Sequence, residues 1–284
     1  MSQEHSKTGI LYIVATPIGN LQDISQRAVD ILRSVPLLAV EDTRHSRKLL
    51  VPLGIGTPML ALHEHNEREL ASRLLVHLQG GADLALISDA GTPLISDPGF
   101  VLVRAVRAAG IRVVPIPGAC ALIAALSVSG LPTDRFRFEG FLPPRPAARR
   151  DCLQALATDT ATLVFYESSH RIVDSLHDMA ECLGAGRVAT VARELTKTFE
   201  TVASGTLEAL CAWVSADANQ QKGEFVIMVH GAVTDPATLD EAARRTLQVL
   251  LDELPLKQAV ALAVKITGQS KNRLYEYGLS LKNI

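Results

Sequence analysis

The chain has 284 residues, of which 48% are hydrophobic, 20% are charged and only 4% are aromatic. That length allows two compact domains plus a small additional piece, and a core built from Leu, Val, Ile and Ala favours helices packed on parallel strands over an all-β sandwich. The formal net charge of −2 excludes a strongly basic protein, although a basic face can exist on a chain that is neutral overall.

The N-terminal segment MSQEHSKTG is polar, and no apolar segment approaches the roughly 18 residues of a membrane span. We therefore expect a soluble, cytoplasmic protein with no membrane partner. The four cysteines are widely spaced and form no CxxC pair, so reduced thiols are expected and no metal site is predicted.

The first half of the chain alternates short apolar segments with helical patterns. The apolar segments are ILYIVA (10–15), PLLAV (36–40), MLAL (59–62), LALIS (84–88) and IRVVPI (111–116). Strands that alternate with helices in this way predict parallel β-α-β units and a sheet covered on both faces.

The second half begins with FLPPRPAARR (141–150), which is typical of a linker or an exposed loop. Four further strands are predicted, and the third and fourth of them are expected to form a hairpin in a mixed sheet. These strands are TLVFYE (162–167), VATVAREL (188–195), TFETVASG (198–205) and EFVIMVHG (224–231). Helices are expected at about 168–183 and 206–216.

The last segment predicts a helix-turn-helix, with Gly268 in the turn and Ser270 as the N-cap of the final helix. The predicted organisation is a disordered tail (1–9), an N-terminal α/β domain (10–140), a linker (141–150), a second α/β domain (151–232) and a C-terminal helix-turn-helix-like region (233–284).

Special residues follow four of the first five strands, in the segments ATPIGNLQDI, EDTRHSRK, SDAGTPLISDPG and PIPGAC. In open α/β sheets, ligands bind at the carboxyl ends of the strands. Gly91 lets the backbone approach a ligand closely, and Asp89, Thr92 and Asp97 offer acceptors for hydroxyl or ammonium groups. Neither GxGxxG nor GxxxxGK[ST] is present, so the usual dinucleotide and P-loop interpretations lose their main support.

These motifs, in this order and spacing, closely resemble the tetrapyrrole-methylase superfamily. More narrowly, they resemble its bacterial branch that methylates a cytidine ribose 2′-hydroxyl of 16S ribosomal RNA. VFYESSHRI, VARELTKTFE and KGEFVIMVHG agree in the second half, so the resemblance covers roughly residues 10–232. It implies two α/β domains with S-adenosylmethionine in the interdomain cleft, a small C-terminal helical region, a substrate in the small ribosomal subunit, and a homodimer.

The resemblance also implies which residues bind the cofactor. The expected residues are Pro17, Gly19, Asp89, Gly91, Thr92, Pro93, Ile95, Cys120, Ala121, Phe165 and Tyr166. One departure matters, because tetrapyrrole-directed members carry Gly-Asp-Pro where this chain has Gly91-Thr92-Pro93. The missing carboxylate argues against a tetrapyrrole substrate.

Catalysis at a ribose hydroxyl needs positioning of the oxygen and gains from a general base. Asp42 and Glu167 are the candidate bases, with Glu41, His63, His65 and Glu194 as further possibilities. The candidate RNA-binding residues are Arg44, Arg171, Arg193, Lys197, Lys271 and Arg273. Each of these charges has an alternative interpretation as a helix cap, a salt bridge or a solvated side chain.

Two other functions stay open at this point. The first is methylation of a tetrapyrrole or another small molecule by an enzyme of the same superfamily. The second is a nucleic-acid-binding regulator in which the helix-turn-helix is the active part and the α/β body senses a small molecule. The basic tail is compatible with the second function, but the motifs of both α/β domains are not needed for it.

Overall fold

The computed structural model describes residues 8–63, 65–233, 239 and 241–282. The chain divides into two compact units, with the junction between Gly231 and Ala232. This junction lies next to the predicted start of the C-terminal region. The predicted N-terminal tail falls mostly on residues 1–7, which lie outside the described part.

The first sheet has five parallel strands in the order β3-β2-β4-β1-β5. Its strands are β1 (Leu11–Val14), β2 (Leu38–Val40), β3 (Met59–Ala61), β4 (Leu84–Ile87) and β5 (Val113–Ile116). Its helices are α1 (Gln26–Ser34), α2 (Thr43–Leu50), α3 (Glu67–Gln79), α4 (Phe100–Ala108) and α5 (Ala121–Val128). The predicted parallel β-α-β arrangement is confirmed.

Strand β4 shows why this sheet is buried on both faces. Leu84 and Leu86 point into a core formed with α3 and α4, whereas Ala85 and Ile87 point into a core formed with α1 and α2. Successive side chains of a strand point to opposite faces, so a continuous apolar segment of four residues fills both cores.

Helix α4 has no N-cap of its own, because Gly99 at that position lacks a side chain. Buried Glu67 of α3 takes over this role, with its Oε1 accepting hydrogen bonds from the backbone of Gly99, Val101 and Leu102 at 3.0, 2.8 and 3.3 Å. These bonds satisfy amides that a helix N-terminus leaves free. They also fix the end of the loop between β4 and α4.

The second sheet is mixed, in the order β6-β7-β10-β8-β9, with β6 parallel to β7 and all other pairs antiparallel. Its strands are β6 (Phe136–Phe141), β7 (Thr162–Ser168), β8 (Val188–Arg193), β9 (Thr201–Thr206) and β10 (Glu224–Val229). Its helices are α6 (Pro146–Leu156), α7 (Ile172–Leu183) and α8 (Leu207–Ala216). The prediction of a mixed sheet is therefore confirmed.

Two local predictions for this half were wrong. Residues 141–150, predicted as a linker, contain the last residue of β6, a short loop and the first turn of α6. Pro146 suits the first position of a helix, and the buried Arg149, which pairs with Asp178 at 2.5 Å, hides the apolar pattern of α6. The hairpin is formed by β8 and β9, and β10 pairs instead with β7 and β8.

Helix α5 joins the two sheets into one unit. It follows β5 of the first sheet, but its apolar side chains Leu122, Ala125 and Leu126 pack against Val164 of β7 and Met228 of β10 in the second sheet. This shared core fixes the second sheet relative to the loops at the carboxyl ends of the first.

The second unit contains α9 (Glu241–Glu253), α10 (Leu256–Thr267) and α11 (Lys271–Lys282). Its buried core includes Leu247, Val260 and Leu274, one from each helix. Gly268 ends α10 in the left-handed conformation (φ +69°), as expected of the residue in the turn of a helix-turn-helix. Within the described residues of both units, no helix has the length and apolar character that crossing a membrane requires.

Candidate active site

A cavity of about 430 Å³ lies at the carboxyl ends of the first sheet. Each of the loops that the sequence singled out contributes to its wall. Ile18 follows β1, Glu41 follows β2, residues 89–92 and 95–97 follow β4, and Cys120 follows β5. The cavity therefore occupies the position at which open α/β sheets bind their ligands.

The second sheet closes the other side of the cavity. Strands β7 and β8 both run antiparallel to β10, so their carboxyl ends meet the start of β10 at one edge. Tyr166 of β7, Glu194 after β8 and Val226 of β10 line the cavity from this side. The site is thus built from loops and strands that are far apart in the sequence.

The loop after β4 is held in an unusual conformation. Gly91, at φ +80°, exchanges two backbone hydrogen bonds with Thr16, at 2.8 and 3.1 Å. Leu94 (φ +73°) and Ser96 (φ +68°) are left-handed although neither is glycine. Such conformations cost about 1–3 kcal/mol each and cluster at functional sites, where the surrounding structure holds them.

The loop after β8 shows the same property on the opposite wall. Glu194 has φ +50° and Thr196 has φ +66°. Gly19, in the loop after β1, fits closely against this segment, since a Cβ there would lie 2.4 Å from Cγ of Lys197. All four non-glycine residues with positive φ among the described residues therefore belong to the two loops that face each other across the cavity.

Three carboxylates, Glu41, Asp89 and Asp97, line the end of the cavity formed by the first sheet. Burial raises the pKa of Asp97 to about 6, and the negative charges of Glu41 and Asp89 add to this effect, whereas a hydrogen bond with Ser88 opposes it. The carboxylate of Asp89 accepts a hydrogen bond from the backbone of Asp42 at 3.3 Å. This end of the cavity is suited to a positively charged group.

Tyr166 forms the aromatic part of the wall. Its ring contacts those of Phe138 and Phe141 edge to face, with centroids 4.8 and 5.7 Å away. Its hydroxyl oxygen accepts a hydrogen bond from the backbone N–H of Leu122 at 3.1 Å, and burial raises the pKa of the phenol. The tyrosine is therefore a neutral, fixed surface.

The structure brings most of the predicted cofactor-binding residues to this cavity. The residues that line it are Asp89, Gly91, Thr92, Ile95, Cys120, Ala121 and Tyr166. Pro17, Gly19 and Pro93 adjoin lining residues. Neighbouring side chains of β7 point to opposite faces of the sheet. Tyr166 therefore faces the cavity, whereas Phe165 is fully buried in the helix-covered core on the opposite face. The placement of the Phe165 side chain in the site is corrected accordingly.

The candidate base Asp42 is occupied as the N-cap of α2. Its Oδ1 accepts hydrogen bonds from the backbone of Arg44 and His45, at 2.7 and 3.4 Å, and these bonds hold the pKa of Asp42 below its usual value. A carboxylate with a lowered pKa is a weak proton acceptor. Its neighbour Glu41 lines the cavity instead.

The second candidate base, Glu167, belongs to the wall of the cavity, but its side chain is buried and its oxygens are held by hydrogen bonds. Its oxygens accept hydrogen bonds from Ser175 Oγ at 2.6 Å, from Arg171 at 3.1 Å and from the backbone of Ser168 at 2.8 Å. These donors attach the end of β7 to the first turns of α7. The geometry therefore gives this side chain a structural task that accounts for its burial.

The other candidate bases differ in position. Glu194 lines the cavity; although burial acts to raise its pKa, hydrogen bonds from Lys197 Nζ (2.8 Å) and the backbone of Glu224 (3.0 Å) hold the pKa low. His63 and His65 are exposed after β3, the edge strand, and do not line the cavity. Glu64 between them lies outside the described residues.

Two of the predicted RNA-binding arginines point into the protein. Arg193 is buried and donates hydrogen bonds to the carbonyls of Lys222 and Phe199, at 2.7 and 3.0 Å. Arg171 donates to the carbonyl of Leu142 and to Glu167. The hydrogen bonds that these two side chains donate inside the fold, through Nη2 of Arg171 and through Nε and Nη1 of Arg193, give them structural roles in place of the predicted phosphate binding.

The remaining predicted cations differ in accessibility. Lys197 bridges Glu194 and Glu224, with both distances 2.8 Å, at the rim of the cavity. The Arg44 side chain is 92% exposed. In the C-terminal unit Lys271 is exposed and Arg273 half-buried. Arg44 and Lys271 are thus the predicted cations that are most available to a partner.

Some lining residues were not singled out from the sequence. Ser96, Gly223 and Glu224 belong to this group. Gly223 has φ +98°, and a Cβ on it would lie 2.5 Å from the Glu194 side chain, so the glycine makes room for that side chain. The Lys-Gly-Glu sequence before a strand was a turn signal, but nothing in it indicated that this turn faces the cavity.

Among the described residues, possible ligands for a metal ion come together at His177, Asp178 and Glu181 on α7. None of them lines the cavity. Asp178 is paired with Arg149 at 2.5 Å and with Arg150 at 3.4 Å. The ion pairs with these two guanidinium groups explain why the carboxylate of Asp178 is buried.

The fold and the site together define a class of protein. Residues 10–211 match the family model of Tetrapyrrole (Corrin/Porphyrin) Methylases. The solved structure of a uroporphyrin-III-C-methyltransferase from Thermus thermophilus superposes with a TM-score of 0.56 at 19% identity, covering 78% of this chain and 94% of that one. At that identity the structural likeness establishes the fold, in agreement with the family model.

The relatives by sequence are more specific. The chain is 58% identical to "Ribosomal RNA small subunit methyltransferase I" of Pseudomonas aeruginosa over 273 residues, which cover 95% of this chain and 97% of that protein. It is also 58% identical to the protein of the same name from Xylella fastidiosa, with coverage of 95% and 99%. Residues 237–282 match the family model "RsmI C-terminal HTH domain". The chain therefore belongs to the ribosomal RNA small subunit methyltransferase I family, a branch of the tetrapyrrole methylases, and the predicted resemblance is confirmed.

Proposed function

We propose that this protein transfers a methyl group from S-adenosylmethionine to the 2′-hydroxyl of a cytidine ribose in 16S ribosomal RNA of the small subunit. The observation that carries the proposal is the cavity between the two sheets, in a chain that matches small-subunit rRNA methyltransferases over nearly its whole length.

The residues of the cavity fit this cofactor. A volume of about 430 Å³ is within the range of roughly 300–1,000 Å³ of small-molecule sites. Ile18, Ile95 and Tyr166 offer apolar surface, and the three carboxylates Glu41, Asp89 and Asp97 offer negative charge. S-adenosylmethionine combines an apolar adenine face with a cationic sulfonium and an ammonium group, and it supplies an activated methyl group.

The loop after β4 is the main binding element in this proposal. Thr92 Oγ1 donates a hydrogen bond to the carbonyl of Ala119 at 3.0 Å, which ties the loop to the segment that follows β5. The backbone bonds between Gly91 and Thr16 tie it to the segment after β1. A loop held at three strand ends keeps its backbone donors and acceptors in place before a ligand arrives, which lowers the entropy cost of binding.

Positioning of the ribose oxygen supplies most of the catalysis in this proposal. Asp97 is the carboxylate of the cavity that is best suited to take the hydroxyl proton, because a base works best when its pKa lies near the working pH. Asp42 and Glu167 are less suited, since one caps α2 and the other holds α7. Glu41 and Asp89 then contribute negative charge to the cavity.

Methylation of a tetrapyrrole is the second candidate function. The structural likeness to a uroporphyrin-III-C-methyltransferase concerns the fold. Thr92 stands where tetrapyrrole-directed members carry a carboxylate, and its hydroxyl is bonded to the next loop rather than presented to a substrate. We therefore favour the RNA substrate.

We further propose a homodimer located in the cytoplasm, on the basis of the resemblance. Light scattering on the purified protein should then give twice the 30.5 kDa mass of the chain.

The experiment that tests the proposed function offers S-adenosylmethionine with a labelled methyl group to the purified protein. Small ribosomal subunits from cells that lack this gene are the substrate in one reaction, and a tetrapyrrole is the substrate in the other. Label in the RNA alone is the expected result. Label in the tetrapyrrole, or no binding of the cofactor by calorimetry, would refute the proposal.

A further inference from the structure

Helix α2 presents three cations on one face. At 100° per residue, Arg44, Arg47 and Lys48 fall within about one quarter of the helix circumference. All three are exposed, whereas Ser46 and Leu50 on the opposite side are buried against the first unit. We call Arg44, Arg47 and Lys48 the α2 basic face.

Neighbouring acids offset only part of the charge of this face. In the part of the chain that the structure describes, its one ion pair joins Arg44 to Asp42 at 3.8 Å, between largely exposed groups. The carboxylate of Asp42 also accepts hydrogen bonds from two backbone amides at the start of α2. The helix Thr43–Leu50 itself contains no acid, in a protein whose net charge is −2.

Helix stability explains only part of this pattern. Lys48 and Arg47 lie in the last turn, where cations favour the helix dipole by a few tenths of a kcal/mol. Arg44 lies in the first turn, where the same dipole disfavours a cation. Helix stability therefore does not account for a positive side chain that is 92% exposed at the unfavourable end of a short helix.

The face begins at the rim of the cavity. Glu41 lines the cavity, Asp42 caps the helix, and α2 starts at the next residue. A helix of eight residues is about 12 Å long, so the Cα atoms of all three residues lie within that distance of the start of the helix at the rim. A nucleotide that places its ribose in the cavity has phosphates on both sides within reach of such a surface.

We propose that the α2 basic face binds phosphates of the RNA strand next to the nucleotide that is methylated. The proposal rests on the proposed function and names a contact surface for its substrate. The two arginines and the lysine contribute charge without reading sequence, since phosphate contacts position the strand and base contacts specify it.

The test replaces all three residues with alanine (Arg44→Ala, Arg47→Ala, Lys48→Ala) and measures binding to small ribosomal subunits that lack the methyl group. The slope of log affinity against log salt should decrease in magnitude by about two, because each phosphate contact contributes roughly 0.7–0.9. The affinity for S-adenosylhomocysteine should stay within twofold of wild type.

A matched control carries the same charge change at the other end of the sheet. Arg104, Arg107 and Arg112 are exposed on α4 and just before β5, at the amino end of the strands. Their triple alanine variant should keep the wild-type salt slope. A variant that keeps the charge of the α2 basic face, Arg44→Lys with Arg47→Lys, should keep most of the affinity.

The outcomes separate the two proposals. If the wild-type protein methylates the subunits but the α2 triple variant keeps wild-type affinity and slope, the α2 basic face is not a phosphate site and the proposed function stands. If the control variant loses as much affinity as the α2 variant, the contribution is general charge and the inference is wrong. If the wild-type protein neither binds nor methylates the subunits, both proposals fail.

Discussion

The backbone of Gly91 is joined to that of Thr16 by two hydrogen bonds, at 2.8 and 3.1 Å, so the loop after β4 lies against the end of β1. A Cβ on Gly91 would lie 3.3 Å from Ile18 Cγ2, and the residue has φ +80°. A β-branched side chain is therefore strongly disfavoured by the backbone conformation, and its Cβ would also press against Ile18. The position of this glycine fixes the floor of the cavity.

We predict that Gly91→Val abolishes binding of S-adenosylmethionine and S-adenosylhomocysteine, measured by titration calorimetry. Gly110→Val is the matched control, because Gly110 also has positive φ (+71°) but would meet nothing within 4 Å. The control should lose stability through backbone strain and still bind. Equal binding by the two variants would contradict the assigned role of Gly91.

Asp97 should make stability depend on pH in an identifiable way. Its pKa of about 6 in the folded protein is above the ordinary 3.8, so the folded state holds the proton more tightly than the unfolded state. The contribution of this group is fully present below pH 4 and is lost as the pH rises through 6. Asp97→Asn should therefore be more stable than wild type at pH 7.5, by roughly 1 kcal/mol after solvent screening, and the difference should vanish near pH 4.

Thermal unfolding across this pH range measures the effect. Asp134→Asn, at an exposed position that does not line the cavity, is the control and should show no such pH-dependent difference in stability. A difference between Asp97→Asn and wild type that is the same at pH 4 and pH 7.5 would argue against the burial of a charge at this site.

The two acids first considered as bases should behave as structural groups. Asp42→Asn keeps a good helix cap, so turnover should stay within a few-fold of wild type. Glu167→Gln weakens the bonds to Arg171 and Ser175 and should lower stability by about 1.5–3 kcal/mol. Single-turnover rates, compared with unfolding temperatures, distinguish the roles. A 100-fold slower methyl transfer by either variant at unchanged stability would identify that acid as the base.

The C-terminal unit should contribute to RNA binding and not to cofactor binding. Its residues 257–282 carry Lys257, Lys265, Lys271, Arg273 and Lys282 against the single acid Glu276. The side chain of Lys282 lies outside the described part, and Lys257, Lys265 and Lys271 are exposed. Deletion after Gly231 should leave cofactor affinity unchanged and weaken association with the small subunit. Full association by the truncated protein would make the unit purely structural.

The strands and the loops at their ends were predictable because apolar segments of four to six residues and Pro/Gly-rich turns are local signals. Helix α2 gave no such signal, since only Ser46 and Leu50 are buried within it. Helix α6 was obscured by an arginine whose partner, Asp178, lies in the next helix.

The site could be predicted as far as its loops, but not for the direction of each side chain. Alternation along β7 implies that Phe165 and Tyr166 face opposite sides, yet nothing local decides which of them faces the cavity. Arg193 was predicted to bind phosphate because the sequence does not show its real acceptors. These acceptors are the backbone carbonyls of residues 199 and 222, which no residue pattern reveals. The raised pKa of Asp97 comes first from its burial and then from the nearby charges of Glu41 and Asp89, and the sequence does not reveal these surroundings.

Mapping the methyl group on the RNA identifies the product of the proposed reaction. Small ribosomal subunits from cells lacking this gene are treated with the purified protein and S-adenosylmethionine, and the 16S RNA is digested and analysed by mass spectrometry. The proposed function predicts one new methyl group on the ribose 2′-oxygen of a cytidine, and this group should be absent when the Gly91→Val variant is used. A methyl group on a base, or RNA that is unchanged while the protein binds its cofactor, would contradict it.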